Sequence, residues 1–84
     1  MDWRPLGSDQ RLYVLECEVA RLCRRIGGTW YAVLDQHLPY DVRRHRDCTN
    51  FDTGKAGIEA WAIRHRERLE REVAAKWEAG KDRV

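Results

Sequence analysis

The chain has 84 residues, of which 43% are hydrophobic, and a formal net charge of +2. This length leaves room for one compact core, so we expect a single small domain over residues 1–84, and the apolar content argues against disorder. No stretch approaches the roughly 18 consecutive apolar residues that span a membrane, which argues against a membrane protein.

The first periodic pattern follows Met1–Gly7, which we expect to be an irregular lead-in. Ser8 is a suitable N-cap. The apolar residues after it recur at three- and four-residue steps, which is typical of an amphipathic helix. These residues are Leu12, Leu15, Val19, Leu22 and Ile26. Gly27-Gly28 supplies a left-handed stop, so the sequence predicts a helix that ends near residue 26.

Two strands are predicted next. Thr29–Asp35 is rich in aromatic and β-branched residues, which favour strands, and Gln36–Pro39 indicates a turn. Tyr40–Cys48 is predicted to be a second strand. It is polar enough to lie at a sheet edge, where charged side chains protect against aggregation. We therefore expect a two-stranded antiparallel hairpin.

A long C-terminal helix is predicted to follow, with Asp52 or Thr53 as its N-cap and Gly80 at its end. One apolar stripe runs along it and consists of Ile58, Trp61, Ala62, His65, Leu69, Val73 and Trp77. At about 25 residues the helix is longer than so small a globule needs. We expect its last turns to project or to pack against a partner, and a homodimer through this helix is one such arrangement. The expected fold class is α+β, in the order α-β-β-α, with a two-stranded antiparallel hairpin between two helices.

Arginine is concentrated between residues 21 and 46, where six arginines outnumber two aspartates by four charges. The densest run consists of Arg43, Arg44, His45 and Arg46. Beside Trp30 and Tyr31 on the neighbouring strand, this run could place guanidinium groups on phosphates and rings on bases or sugars. The same residues suit an acidic protein surface. The simpler interpretation is a solvated edge strand.

Residues 28–61 also resemble the small amino-terminal, arm-type DNA-binding domain of phage tyrosine integrases. In that family a strand with a Gly-x-Trp pattern leads to a basic strand, and Phe-x-Thr opens a helix that carries an Ala-Trp pair. The matching residues are Gly28, Trp30, the Arg43–Arg46 run, Phe51, Thr53 and Ala60-Trp61. The resemblance implies a sheet whose exposed face docks in a DNA groove, with Arg43, Arg44 and Arg46 as contacts. The chain departs from the pattern by the predicted helix in front, by the lack of a third strand, by an extra residue after Thr53 and by the lack of a recombinase domain.

Metal binding and catalysis find little support in the sequence. A metal site can be assembled only from four scattered residues, His37, His45, Cys48 and His65. No paired Cys-x-x-Cys spacing accompanies them. His37 near Asp35, or Cys48 near His45, could act as an acid–base or nucleophile pair, but short-range pairs of this kind are common. We expect no metal, no cofactor and no enzymatic activity.

The remaining expectations concern compartment and function. Three cysteines without close spacing, behind a start that lacks the apolar core of a signal peptide, predict structural thiols in a reducing, cytoplasmic setting.

The local positive excess favours a small non-enzymatic DNA-binding or nucleoprotein-associated protein, of phage or mobile-element origin, that uses the Arg-rich hairpin. The alternative is a protein-binding inhibitor or adaptor that uses a Trp/Arg-rich surface, for example a phage-encoded blocker of a host nucleic-acid machine. Small size and a near-neutral overall charge favour the alternative.

Overall fold

The computed structural model describes residues 1–81, the last three as backbone only. Five strands form one antiparallel sheet in which the spatial order of the strands is their order in the chain. The strands are β1 (Asp2–Leu6), β2 (Asp9–Val14), β3 (Cys17–Arg24), β4 (Trp30–Leu34) and β5 (Arg44–Cys48). A short 3-10 helix (Tyr40–Val42) precedes β5, and two helices, α1 (Phe51–Arg64) and α2 (Arg66–Lys81), follow it. The predicted order α-β-β-α with a two-stranded hairpin is therefore wrong.

The largest correction concerns the predicted first helix, because its residues form β2 and β3 instead. Leu12, Val19 and Leu22 are buried, as a helical stripe would also require. The two remaining members of the stripe, Leu15 and Ile26, are exposed because each lies in a turn. The predicted lead-in is also ordered, since it supplies β1.

A register shift within the β2–β3 pair explains why these strands do not alternate regularly. Leu12 pairs with Ala20 and Tyr13 pairs with Glu18, so Val19 lies between two paired positions. An extra residue of this kind breaks the two-residue period of a strand. Val19 and Ala20 are consequently both buried in the core. The Val19 carbonyl accepts a hydrogen bond from the Gln36 N–H at 2.9 Å.

The turn between β2 and β3 consists of Leu15 and Glu16, whose φ angles are 49° and 63°. Two positive φ angles in a two-residue hairpin turn are characteristic of type I′, which strongly favours Asn-Gly. A leucine in this conformation is strained, because its Cβ approaches the backbone. The hairpin was hidden in the sequence because neither turn residue carries the usual signal.

Replacement of the turn by Leu15→Asn and Glu16→Gly is expected to raise the free energy of unfolding by roughly 1–2 kcal/mol, because it relieves left-handed strain. Glu16→Gly also removes an exposed ion pair with Arg4, and such pairs contribute little. Thermal and urea denaturation measure the change. A lower midpoint than that of the parent chain would show that the turn is not strained. Leu15→Asn alone, which keeps the ion pair, separates the two effects.

The second half of the chain agrees more closely with the sequence. The strand predicted at Thr29–Asp35 is confirmed as β4, and the strand predicted at Tyr40–Cys48 is present but shorter. β5 lies at the edge of the sheet, as expected. The N-cap of α1 is Asn50 rather than Asp52 or Thr53, since the Asn50 Oδ1 accepts the Thr53 N–H at 2.9 Å.

The single long helix predicted at the C-terminal end is also wrong, because the helix breaks at His65. The break lets both halves cover the sheet, and five residues of the predicted stripe are buried. These residues are Ile58, Trp61, Ala62, Leu69 and Val73. His65 is only half-buried and Trp77 is exposed. In the described part of the chain, neither helix is long and apolar enough to cross a membrane.

The helices cover only one face of the sheet. Leu12, Leu22 and Leu34 point to that face and share one core with the buried residues of α1 and α2. At Gly54 the helix lies close to the sheet, because a Cβ on this residue would lie 2.9 Å from the Leu22 Cδ1. Since side chains alternate along a strand, the residues between these leucines lie on the opposite face, which no described helix covers.

Candidate interaction face

The uncovered side of the sheet, called here the open face, is organised around one row of paired residues that crosses all five strands. The row consists of Arg4, Arg11, Arg21, Val33 and His45, in that order. Its first three members are arginines at directly opposite positions, an arrangement that like charges make unfavourable. The row therefore begins with three basic residues, continues with the apolar Val33 and ends with the imidazole of His45 at the β5 edge.

Aromatic rings flank this row, and several of them lie against guanidinium groups. The Arg4 Cζ lies 4.1 Å from the centroid of the Tyr13 ring, and the Arg25 Cζ lies 4.8 Å from that of Tyr31. Tyr31 in turn stacks on His45, with the ring centroids 6.5 Å apart and the planes inclined by 25°. Cation–π contacts of this geometry restrain both partners. The open face thus presents rings and guanidinium groups that are already oriented.

Carboxylates neutralise most of these arginines. Arg4 pairs with Glu16 at 2.7 Å and with Asp2 at 2.8 Å. The hydrogen bonds to Glu16 and then to Asp2 raise the pKa of Arg4 above its usual value. The remaining pairs are Arg21 with Glu18 at 2.7 Å and Arg25 with Asp47 at 2.9 Å. Three of the four arginines on the open face, Arg4, Arg21 and Arg25, are therefore offset by nearby carboxylates.

Arg11 is the exception. Its Nε is buried and has no hydrogen-bond partner among the described residues. It stands between Arg4 and Arg21 in the row, and its guanidinium group lies 5.6 Å from the centroid of the Tyr13 ring. A buried guanidinium N–H that lacks an acceptor is poorly satisfied in the free protein. Unlike Arg4, Arg21 and Arg25, Arg11 also forms no ion pair with a described carboxylate.

Small residues of the open face are buried beneath these long side chains. Cys23 and Val33 are buried although no helix covers them, because Arg and Tyr side chains lay their apolar parts across a surface. Burial raises the pKa of the Cys23 thiol, and a hydrogen bond with Cys23 raises the pKa of the Tyr31 hydroxyl. The thiol therefore stays protonated at neutral pH, and a thiol in that state is a poor nucleophile.

The structure divides the six residues proposed from the sequence between different surfaces. Tyr31 and His45 lie on the open face. Arg44 and Arg46 occupy the alternate positions of β5 and are exposed at the sheet edge, on the helix side. Trp30 also points to the helix side, where its ring meets that of Phe51 at 5.1 Å. Arg43 precedes β5, and its Nε donates to the Leu38 carbonyl at 2.9 Å.

Four residues of the open face were missed because their segments were predicted as lead-in or helix. They are Arg4, Arg11, Tyr13 and Arg21. The sequence does carry one signal for them, the alternation of Arg11, Leu12, Tyr13 and Val14, which is typical of a half-buried strand. The apparent helical stripe outweighed this short alternation.

A second polar cluster joins the end of β4 to α2. Asp35, His37 and Glu72 place potential metal-ligand atoms within 4.8 Å of one another, the one such group among the described residues. Arg68 already supplies a positive charge to two of these residues, since it donates to Asp35 at 3.1 Å and to Glu72 at 2.9 Å. The His37 Nε2 donates to the same Glu72 carboxylate at 2.8 Å. This cluster is an ion-pair network that fastens α2, and it differs from the four-residue metal set considered in the sequence.

Comparisons with protein-family models, with curated proteins and with solved structures gave no match.

Proposed function

We propose that this chain is a non-enzymatic protein-binding module whose contact surface is the open face of the sheet. The observation that carries the proposal is the set of Arg–Tyr pairs on that face, each held by a neighbouring carboxylate. Tyrosine and arginine are enriched among residues that dominate the binding energy of protein interfaces. Side chains that are oriented before binding lose less entropy when the complex forms.

The charge balance of the face favours a protein over a nucleic acid. Protein cations bind phosphates by displacing the counterions that surround a nucleic acid. On the open face, however, Arg4, Arg21 and Arg25 already have carboxylate partners. A partner protein that offers a carboxylate to Arg11 and apolar or aromatic side chains to Tyr13 and Tyr31 fits the face better. Arg11 would then gain a carboxylate partner, which none of the described residues supplies.

DNA is the second candidate, and the row of three arginines favours it. Arg4, Arg11 and Arg21 are adjacent across three strands, a spacing that suits successive phosphate contacts. The resemblance to the integrase arm domain leads to the same candidate, although it assigned the contacts to Arg43, Arg44 and Arg46.

Simultaneous substitution Arg11→Ala and Tyr31→Ala is expected to weaken partner binding by about 30-fold or more, as loss of an interface hot spot does. The measurement is affinity capture from nuclease-treated host lysate, followed by titration of the purified partner. The matched control is Ile63→Ala with Arg64→Ala, because both residues are exposed on the outer side of α1. Arg44→Ala with Arg46→Ala tests the arginines singled out by the sequence.

The outcomes of this experiment separate the two candidates. If duplex DNA binds, and binding weakens with salt and is lost in the open-face variant, the partner is a nucleic acid. If the open-face variant still binds the partner protein and the Ile63/Arg64 control does not, the interface lies on the helices. Circular dichroism of each variant checks that the fold is intact.

A further inference from the structure

A groove lies where the described end of α2 meets the β2–β3 turn and the connection before β5. Its volume is about 520 Å³, within the range of small-molecule sites. Trp77 forms one wall and Tyr13 another. The Trp77 Nε1 donates to the Leu15 carbonyl at 3.1 Å, which fixes the indole across the turn. The groove therefore has two aromatic walls that belong to different elements.

The charged residues that line the groove are not equally satisfied. Glu16 and Glu18 are neutralised by ion pairs with Arg4 and Arg21. The cations Lys76 and Arg43 instead donate to backbone carbonyls, at 3.2 Å and 2.9 Å. A carbonyl orients a cation without cancelling its charge, so no carboxylate among the described residues offsets the charge at this end of the groove.

The two cations also contact the same loop. Lys76 donates to the carbonyl of His37 and Arg43 to that of Leu38, which are consecutive residues. Each retains further N–H groups, because an ammonium group has three donors and a guanidinium group has five. Neither cation forms an ion pair with a described carboxylate. Two cations that line one groove and keep free donors favour an anionic group in it.

We propose that this groove binds a small organic carboxylate that has an aromatic or apolar body. The carboxylate accepts hydrogen bonds from Lys76 and Arg43, while the body lies between Tyr13 and Trp77. This site lies apart from the Arg11–Tyr31 region of the open face, although Tyr13 contributes to both surfaces. It does not depend on whether the open face binds a protein.

The test is a titration of the ¹⁵N-labelled chain with 3-phenylpropionate and, in parallel, with the neutral 3-phenylpropanamide. The indole N–H resonance of Trp77, assigned from a Trp77→Phe spectrum, is expected to shift on addition of the carboxylate. The amide is expected to bind about tenfold more weakly, because it cannot form the charge-assisted hydrogen bonds. Equal affinity for the two compounds would overturn the proposed role of the cations.

Variants of the cations provide a second measurement. Arg43→Gln and Lys76→Gln are each expected to weaken binding of 3-phenylpropionate by about fivefold to tenfold, and to remove its preference over the amide. Lys55→Gln is the control. Lys55 belongs to α1, where its ammonium group lies over the ring of Trp3, and it does not line the groove. Unchanged affinity in both groove variants, with the melting temperature preserved, would overturn the proposal. So would shifts that map to Tyr31 and His45 instead of Trp77.

Discussion

Replacement of Trp61 by alanine is expected to lower the free energy of unfolding by roughly 3–5 kcal/mol. Trp61 is 5% exposed and lies in the core that α1 shares with the sheet. Removal of its ring would leave a cavity between the helix and the sheet, because neighbours in a dense core relax only partly. Urea denaturation of the purified variant measures the loss, and an unchanged midpoint would mean that the facing of α1 is wrong.

A matched control for Trp61 lies two residues further along the same helix. Ile63 is 64% exposed, so Ile63→Ala is expected to change stability by less than about 0.5 kcal/mol. A small domain has little stability to spare, and Trp61→Ala could leave the chain unfolded. Trp61→Phe then supplies the measurement, since it keeps most of the ring and is expected to fold with a lowered midpoint.

The second large effect is expected at Arg68, the centre of the network at the end of β4. Arg68→Ala should cost about 3 kcal/mol, because it leaves the Asp35 carboxylate buried without its nearer cation. The Asp35 side chain is only 4% exposed, and the other cation near it, Arg44, is 3.8 Å away. Asp35→Asn in the same chain is expected to recover part of the loss, because it removes the stranded charge.

Arg66 is a close control for Arg68, since it lies two residues earlier in α2. Each arginine pairs with a glutamate four residues later, Arg66 with Glu70 and Arg68 with Glu72. Only the second pair adjoins a buried carboxylate, so Arg66→Ala is expected to cost less than about 0.5 kcal/mol. Equal losses in the two variants would show that the Asp35 network does not fasten α2.

The elements after residue 29 could be predicted because local preference and burial agree there. The residues of β4 favour strands, and the apolar stripe of α1 and α2 has a helical period. What the sequence did not show is the break at His65. A continuous helix would carry the stripe on past the sheet, whereas the break turns Leu69 and Val73 back onto it.

The elements before residue 29 could not be predicted in the same way. A helix and a hairpin both bury Leu12, Val19 and Leu22, so those positions do not distinguish the two structures. The decisive residues are Leu15 and Ile26, which a helix would bury and the turns expose. Leu15 and Glu16 adopt a turn that normally contains glycine, so no residue at this position indicated a turn.

The candidate site was predictable only where the strands were. Tyr31 and His45 could be assigned to neighbouring strands, but Arg4, Arg11 and Tyr13 belong to strands that were not expected. Charge counting along the chain also gave a misleading balance for this surface. Arg4 pairs with Glu16 of the β2–β3 turn and Arg25 pairs with Asp47 of β5, so these two pairs exist only once the sheet has formed.

The agreement between strand order and chain order has a consequence for folding kinetics. Every strand pairs with its neighbour in the chain, so each hairpin can close a short loop at little entropic cost. The distant contacts belong to the helices, such as that from Trp77 to Leu15 across 62 residues. We therefore expect the rate-limiting step to be the docking of the helices onto a sheet whose hairpins form and dissolve more quickly.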